Sequence, residues 1–266
     1  MDFKRKERYR VEDLLEIMRV LRSENGCPWD REQTHESIRR NFIEETYEVV
    51  EAIDNRDKAL LEEELGDVLL QVVFHAQMEA EEGAFDFDDV CDGICKKLIL
   101  RHPHIFGDVV ASTSEEVLRN WDEIKKQEKG QKTQTDAVLS VPKVLPALMR
   151  SAKVQQRAAK TGFDYPALDD SMKDLDSELC ELKEAVTSGN REAVAEEFGD
   201  LLFSCVNVSR FLHLDAEEAL SFATEKFIRR FAEVEKLAGE QGIQMKDAPL
   251  DELNRLWAEA KTRVHS

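Results

Sequence analysis

Apolar side chains recur at three- and four-residue intervals along nearly the whole chain, which is the period of one face of an α-helix. Leu14, Leu15, Met18 and Leu21 form one stripe, Phe42, Val49 and Ile53 a second, and Leu65, Val68, Leu69, Val72 and Val73 a third. Strand-like alternation is absent. The pattern predicts helices over 11–24, 37–54, 57–82, 87–101 and 114–128, then 144–160, 171–188, 190–212, 215–240 and 249–264. Between the two sets, residues 129–143 carry little apolar content and read as a linker. The expected architecture is all-α, with domains at 1–128 and 144–266, each a four-helix-bundle-like unit.

The second set of helices repeats the first. Glu45 and Glu48 are followed by Glu64 and Asp67; Glu178 and Glu181 are followed by Glu197 and Asp200. The first Glu and the final Asp are 22 positions apart in both halves. Downstream, Lys97 and Arg101 parallel Lys226 and Arg230, and Trp121 and Lys125 parallel Trp257 and Lys261. One such motif in a chain with 56 acidic residues means little. The same ordered set occurring twice marks a tandem repeat.

Residues three apart lie on one helix face, so each motif presents two carboxylates side by side. Asn55 to Asp57 and Ser188 to Asn190 supply turn residues between the motifs. Two antiparallel helices would bring four carboxylates together, and these repel unless a cation lies among them. Hard oxygen donors select Mg2+, with Mn2+ a substitute, and Mg2+ is commonly shared with phosphates. A polyphosphate is therefore the natural ligand. Lys226, Arg230 and Lys261 could meet phosphate oxygens, while Trp257 offers a face either to a base or to a neighbouring helix. Gly66 and Gly199, inside the second motif of each half, suggest close backbone approach there.

Composition narrows the function. Net charge is −19, which disfavours nucleic acid and anionic membrane as partners. No stretch is apolar enough to span a bilayer, and the charged start lacks the apolar segment of a signal peptide. The five cysteines read as reduced thiols of a cytoplasmic protein; Cys91 and Cys95 lack a second pair at zinc spacing. His102-Pro103-His104 reads as a surface loop rather than a metal pair.

At these residues the sequence resembles the MazG family of nucleoside triphosphate pyrophosphohydrolases. The resemblance spans CPWD near the start, EETYE, EELGD, RHPHIF, LPALMR, EEFGD and KFIRRF. It implies an all-α fold of dimerising bundles and Mg2+-dependent hydrolysis of nucleoside triphosphates to monophosphate and pyrophosphate. It implies metal ligation by Glu178, Glu181, Glu197 and Asp200, matched in the first half by Glu45, Glu48, Glu64 and Asp67. It further implies a water-activating role for Glu178 and nucleotide contacts from Glu196, Lys226, Arg230, Trp257 and Lys261, with Lys125 as the counterpart of Lys261. Two positions depart from the family pattern. Ser177 stands where the first half has Glu44, and Asp174 stands where the family often has lysine. A silent nucleotide-sensing scaffold and a related helical pyrophosphatase with another nucleotide substrate are the rival readings.

Overall fold

The computed structural model describes residues 5–111, 113–128 and 133–264. Thirteen helices and no strand occur among them. The chain divides into two compact units, Met1–Lys125 and Lys126–Ser266.

Unit 1 contains α1 (Val11–Arg22), α2 (Pro28–Glu32), α3 (His35–Asn55), α4 (Lys58–Glu82), α5 (Phe87–Arg101) and α6 (Pro103–Phe106); α7 (Ser114–Glu128) begins in it and crosses the boundary. The long pair α3 and α4 is its spine, with α1 and α5 laid against α4. Its core joins Met18, Ile38, Val73, Phe74 and Met78. Proline at the first helical position opens both α2 and α6, short helices that apolar periodicity does not reveal. His102 and His104 therefore belong to a helix start, not to the expected loop.

Unit 2 contains α8 (Gln134–Leu139), α9 (Ala147–Ala159), α10 (Leu168–Ser188), α11 (Arg191–Phe211), α12 (Ala216–Glu240) and α13 (Leu250–Arg263). The pair α10 and α11 is again the most extensive packing, with α9 against both α11 and α12. The dry core lies elsewhere, between α12 and α13, where Leu237, Leu256 and Ala260 are fully buried.

The segment expected as a linker is partly structured. Residues 129–132 lie outside the described residues. Beyond them, Thr133 caps α8 by accepting from the Asp136 amide at 3.0 Å, and Val141 is buried. Arg157 of α9 donates to the Ala137 carbonyl and the Ser140 hydroxyl. Capping and a half-buried arginine organise a stretch too short for periodicity to register.

The turns joining the two long pairs have the same construction. Asp57 accepts from the Ala59 and Leu60 amides at 3.0 and 3.1 Å, and Asn190 accepts from those of Glu192 and Ala193 at 3.1 and 3.4 Å. The preceding residue takes the left-handed conformation in both, Arg56 at φ 55° and Gly189 at φ 71°. Glycine adopts it without penalty; arginine does so at a cost of about 1 kcal/mol.

Candidate functional site

The antiparallel pairing of α3 with α4 sets Glu45, Glu48 and Glu64 face to face, one carboxylate oxygen of each lying within 4.8 Å of the others. The pairing of α10 with α11 does the same for Glu178, Glu197 and Asp200. The units thus converge on three carboxylates each, drawn from both helices. Asp67 and Glu181, the expected fourth members, stand at the margins of these sets. Their charges still reach the cluster: Asp67 acts on Glu45 and Glu64, and Glu181 on Glu178 and Glu197.

Electrostatics sets these groups apart from ordinary surface acids. Glu64 is buried although acidic. Burial, then the charges of Asp67 and Glu48, hold the Glu45 carboxyl above the usual range. Burial, then Glu48, do the same for Glu64. In unit 2, burial raises Glu178, reinforced by Glu181, Asp174, Asp200 and Glu197. Glu197 rises through burial and the charges of Glu181, Asp200 and Glu196. Each cluster is a set of like charges held by helix packing, and a cation would relieve their repulsion. The donors are all oxygen, which fits Mg2+ or Mn2+ and not a soft metal.

The cationic residues of unit 2 gather separately, on α12 and α13. Lys261 Nζ lies 5.9 Å from the Trp257 ring centre, and Phe227 packs on the same ring at 5.3 Å. Trp257 also borders the core of Leu237 and Leu256, so the helix-packing alternative for it is realised. Lys226 and Arg230 are half-buried on α12, and Arg230 Nε is buried without a hydrogen-bond partner. Among the described residues, no hydrogen bond or ion pair joins Lys226, Arg230 or Lys261 to the carboxylates. Glu196 is exposed beside Glu197. Lys125 lies on α7, outside the α3–α4 pair.

The close approach expected at the glycines is not found among the described residues of the chain. A Cβ built on Gly66 or Gly199 meets no atom within 4 Å. Among the described residues nothing lies against these glycines.

Sequence reasoning saw Ser177 only as a departure and passed over Ser204. Ser177 Oγ donates to Glu181 Oε1 at 3.0 Å, so this departure from the family pattern orients a neighbouring carboxylate. Ser204 Oγ donates to Asp174 Oδ2 at 2.8 Å. For Ser177 the signal was spacing, four residues before Glu181 on one helix face; Ser204 on α11 meets Asp174 on α10 only through the pairing of the two helices.

Comparison with known proteins agrees with this geometry. Residues 33–106 and 168–234 match the MazG nucleotide pyrophosphohydrolase domain. A nucleoside triphosphate pyrophosphohydrolase of Escherichia coli (strain K12) is 46% identical over 256 residues, covering 94% of this chain and 97% of its own. The nucleoside triphosphate pyrophosphohydrolase/pyrophosphatase MazG of Thermotoga maritima is 46% identical over 250 residues, covering 94% and 95%. A nucleoside triphosphate pyrophosphohydrolase of Mycolicibacterium smegmatis is 37% identical over 210 residues, covering 71% and 64%. The matched segments contain both carboxylate clusters, and the chain belongs to the MazG nucleotide pyrophosphohydrolase family.

Proposed function

We propose that this pyrophosphohydrolase cleaves nucleoside triphosphates between the α- and β-phosphates, releasing nucleoside monophosphate and pyrophosphate, with Mg2+ as cofactor and Mn2+ as a substitute. The observation that carries the reading is the convergence of three carboxylates across each long helix pair, in segments that match the family domain. The names of the relatives support the substrate class.

Glu178, Glu197 and Asp200 would hold the ion in unit 2, and Glu45, Glu48 and Glu64 in unit 1. When bound, the ion supplies charge neutralisation for the phosphates and a lowered pKa for water. Glu178, raised by burial and by its neighbours, is suited to orient that water and accept its proton. Attack at the α-phosphorus breaks its bond to the bridging oxygen, and pyrophosphate leaves with the electron pair. Lys226, Arg230 and Lys261 are the groups available to stabilise the charge of the departing pyrophosphate. Glu196, exposed beside Glu197, and the half-buried Trp257 are the further candidate nucleotide contacts.

We also propose a homodimer or larger even oligomer. Phe198 and Leu202 on α11 are 51% and 43% exposed, beside the open Gly199. Leu65 and Leu69 flank Gly66 in the same way, at 52% and 39%. Contiguous apolar residues of this size are normally covered. A solution mass near the 30.5 kDa of one chain at micromolar concentration would refute pairing.

The deciding experiment is a screen of ribo- and deoxyribonucleoside triphosphates with products resolved. Equal amounts of pyrophosphate and monophosphate, lost in EDTA and restored by Mg2+ or Mn2+, are expected. Stepwise release of orthophosphate would exclude the proposed cleavage, and full activity in EDTA would exclude the cation.

A further inference from the structure

The two clusters are related by a constant offset, since Glu45 corresponds to Glu178 and Asp67 to Asp200, each 133 residues later. On that offset Asn41 corresponds to Asp174, and Gln71 to Ser204. Unit 1 therefore places two neutral amides one turn from its carboxylates, and the buried Gln71 Oε1 has no hydrogen-bond partner. Unit 2 places a carboxylate there and supplies it with donors. Ser204 Oγ donates to Asp174 Oδ2 at 2.8 Å, and the Tyr165 phenol interacts with the same carboxylate.

Tyr165 is itself held in place. It follows Asp164, whose carboxylate pairs with both terminal nitrogens of Arg210 on α11 and accepts from the Tyr165 amide at 2.9 Å. The loop before α10 is thereby tied to α11, and the phenol is carried to Asp174. Interaction with Asp174, then burial and the charges of Asp174 and Glu178, push the phenol up to about 12, so it keeps its proton at neutral pH.

Asp174 is four residues before Glu178, on the same face of α10. Its charge acts directly against Glu178. An asparagine would also accept a hydrogen bond from Ser204 without adding that repulsion. A carboxylate oriented by the Ser204 hydroxyl beside three others is suited to a cation, because Mg2+ retains several waters when bound to protein and those waters need acceptors.

We propose that Asp174, fixed by Ser204 and with Tyr165 beside it, is a positioning residue for the divalent cation at Glu178, Glu197 and Asp200, accepting hydrogen bonds from the cation's water shell. The inference rests on the cation reading of that cluster. It assigns a use to the residue that departs from the family's lysine. It also separates the units: the second cluster binds a cation in the absence of nucleotide more tightly than the first.

The test is Mn2+ titration of the nucleotide-free full chain by calorimetry, with unit 1 silenced by Glu48→Gln and Glu64→Gln. Asp174→Asn is expected to weaken Mn2+ binding about tenfold, the lower end of the range for partners outside the ligand shell. Its metal-free Tm should stay level or rise as repulsion falls. Tyr165→Phe and Ser204→Ala should weaken binding in the same direction by smaller factors. Unchanged Mn2+ affinity in Asp174→Asn overturns the proposal, including when its Tm falls, since that combination marks a purely structural carboxylate. If Asp174→Asn does not fold, unchanged affinity in Tyr165→Phe overturns it. Absence of Mn2+ binding in the parent protein would instead refute the underlying cation reading.

Discussion

In unit 1 the helices that carry the carboxylates also carry the core: Ile38 on α3 and Val73, Phe74 and Met78 on α4 are buried together with Met18. In unit 2 the carboxylate helices bury comparatively little, Ser171 and Ser204 among them, and the dry core is on α12 and α13. Counterparts at the 133-residue offset show how this came about. Ile38 corresponds to Ser171, Phe74 to Asn207 and Gln71 to Ser204. The reverse exchange occurs at neighbouring positions of the same helices. His35, His75 and Glu79 in unit 1 correspond to Leu168, Val208 and Leu212 in unit 2. The comparison teaches that the three-carboxylate constellation needs only two long antiparallel helices in register. What supports those helices is free to differ, as apolar packing in one unit and hydroxyl–carboxylate bonds in the other.

The largest expected effect divides the units by activity. Glu197→Ala should reduce turnover by at least about 100-fold, while Glu64→Ala should leave most of it. The reason lies in the cationic helices: α12 continues ten residues past Arg230, to Glu240, whereas α5 ends at Arg101 before Pro103. Steady-state pyrophosphate release, with helicity checked by circular dichroism, measures this; loss in Glu64→Ala alone would reverse the assignment. Next in size is the core. Leu256→Ala should destabilise unit 2, and Met18→Ala unit 1, by about 2–5 kcal/mol each, because both side chains are essentially inaccessible. Urea unfolding followed by tryptophan emission reads both, since Trp257 reports unit 2 and Trp29 unit 1. Equal shifts of both transitions by either substitution would show that the units do not melt separately.

Arg56→Gly tests the one turn where the units differ by a backbone penalty. It should stabilise unit 1 by up to about 1 kcal/mol, and a loss of stability would mean that the arginine side chain outweighs its φ. The smallest effect concerns pH. His35 Nδ1 and His75 Nδ1 are 2.6 Å apart with the ring planes within 4° of parallel, too close for face-to-face contact, so the rings meet at their edges and share one proton. His35 Nε2 meets Glu79 at 2.9 Å. Burial, then the charge of His35, lowers His75 from its ordinary 6.5. The unfolded chain then takes up that proton before the folded one as pH falls. The contribution to unit 1 is full above 6.5 and is lost as pH drops through and below that value. His75→Val, which installs the unit 2 residue, should flatten this slope of Tm against pH; an unchanged slope would remove the histidine pair as its source.

The sequence by itself determined the helices, the tandem repeat and the two motif pairs, because helix formation and the facing of residues three apart are local properties of the chain. It also determined the turn between the motifs, where Asp57 and Asn190 cap as their chemistry requires. Tertiary structure decided the rest. Which three of four carboxylates converge depends on the register and tilt of one helix against another, and Asp67 and Glu181 were left at the margins by fractions of a turn. Gly66 and Gly199 look like contact points along a single helix, yet whether another element lies over them is a property of packing, and among the described residues none lies within 4 Å of where a Cβ would stand. The roles of Tyr165 and Ser204 emerge only once a loop and a second helix are brought to Asp174, since a hydroxyl has no partner until folding supplies one.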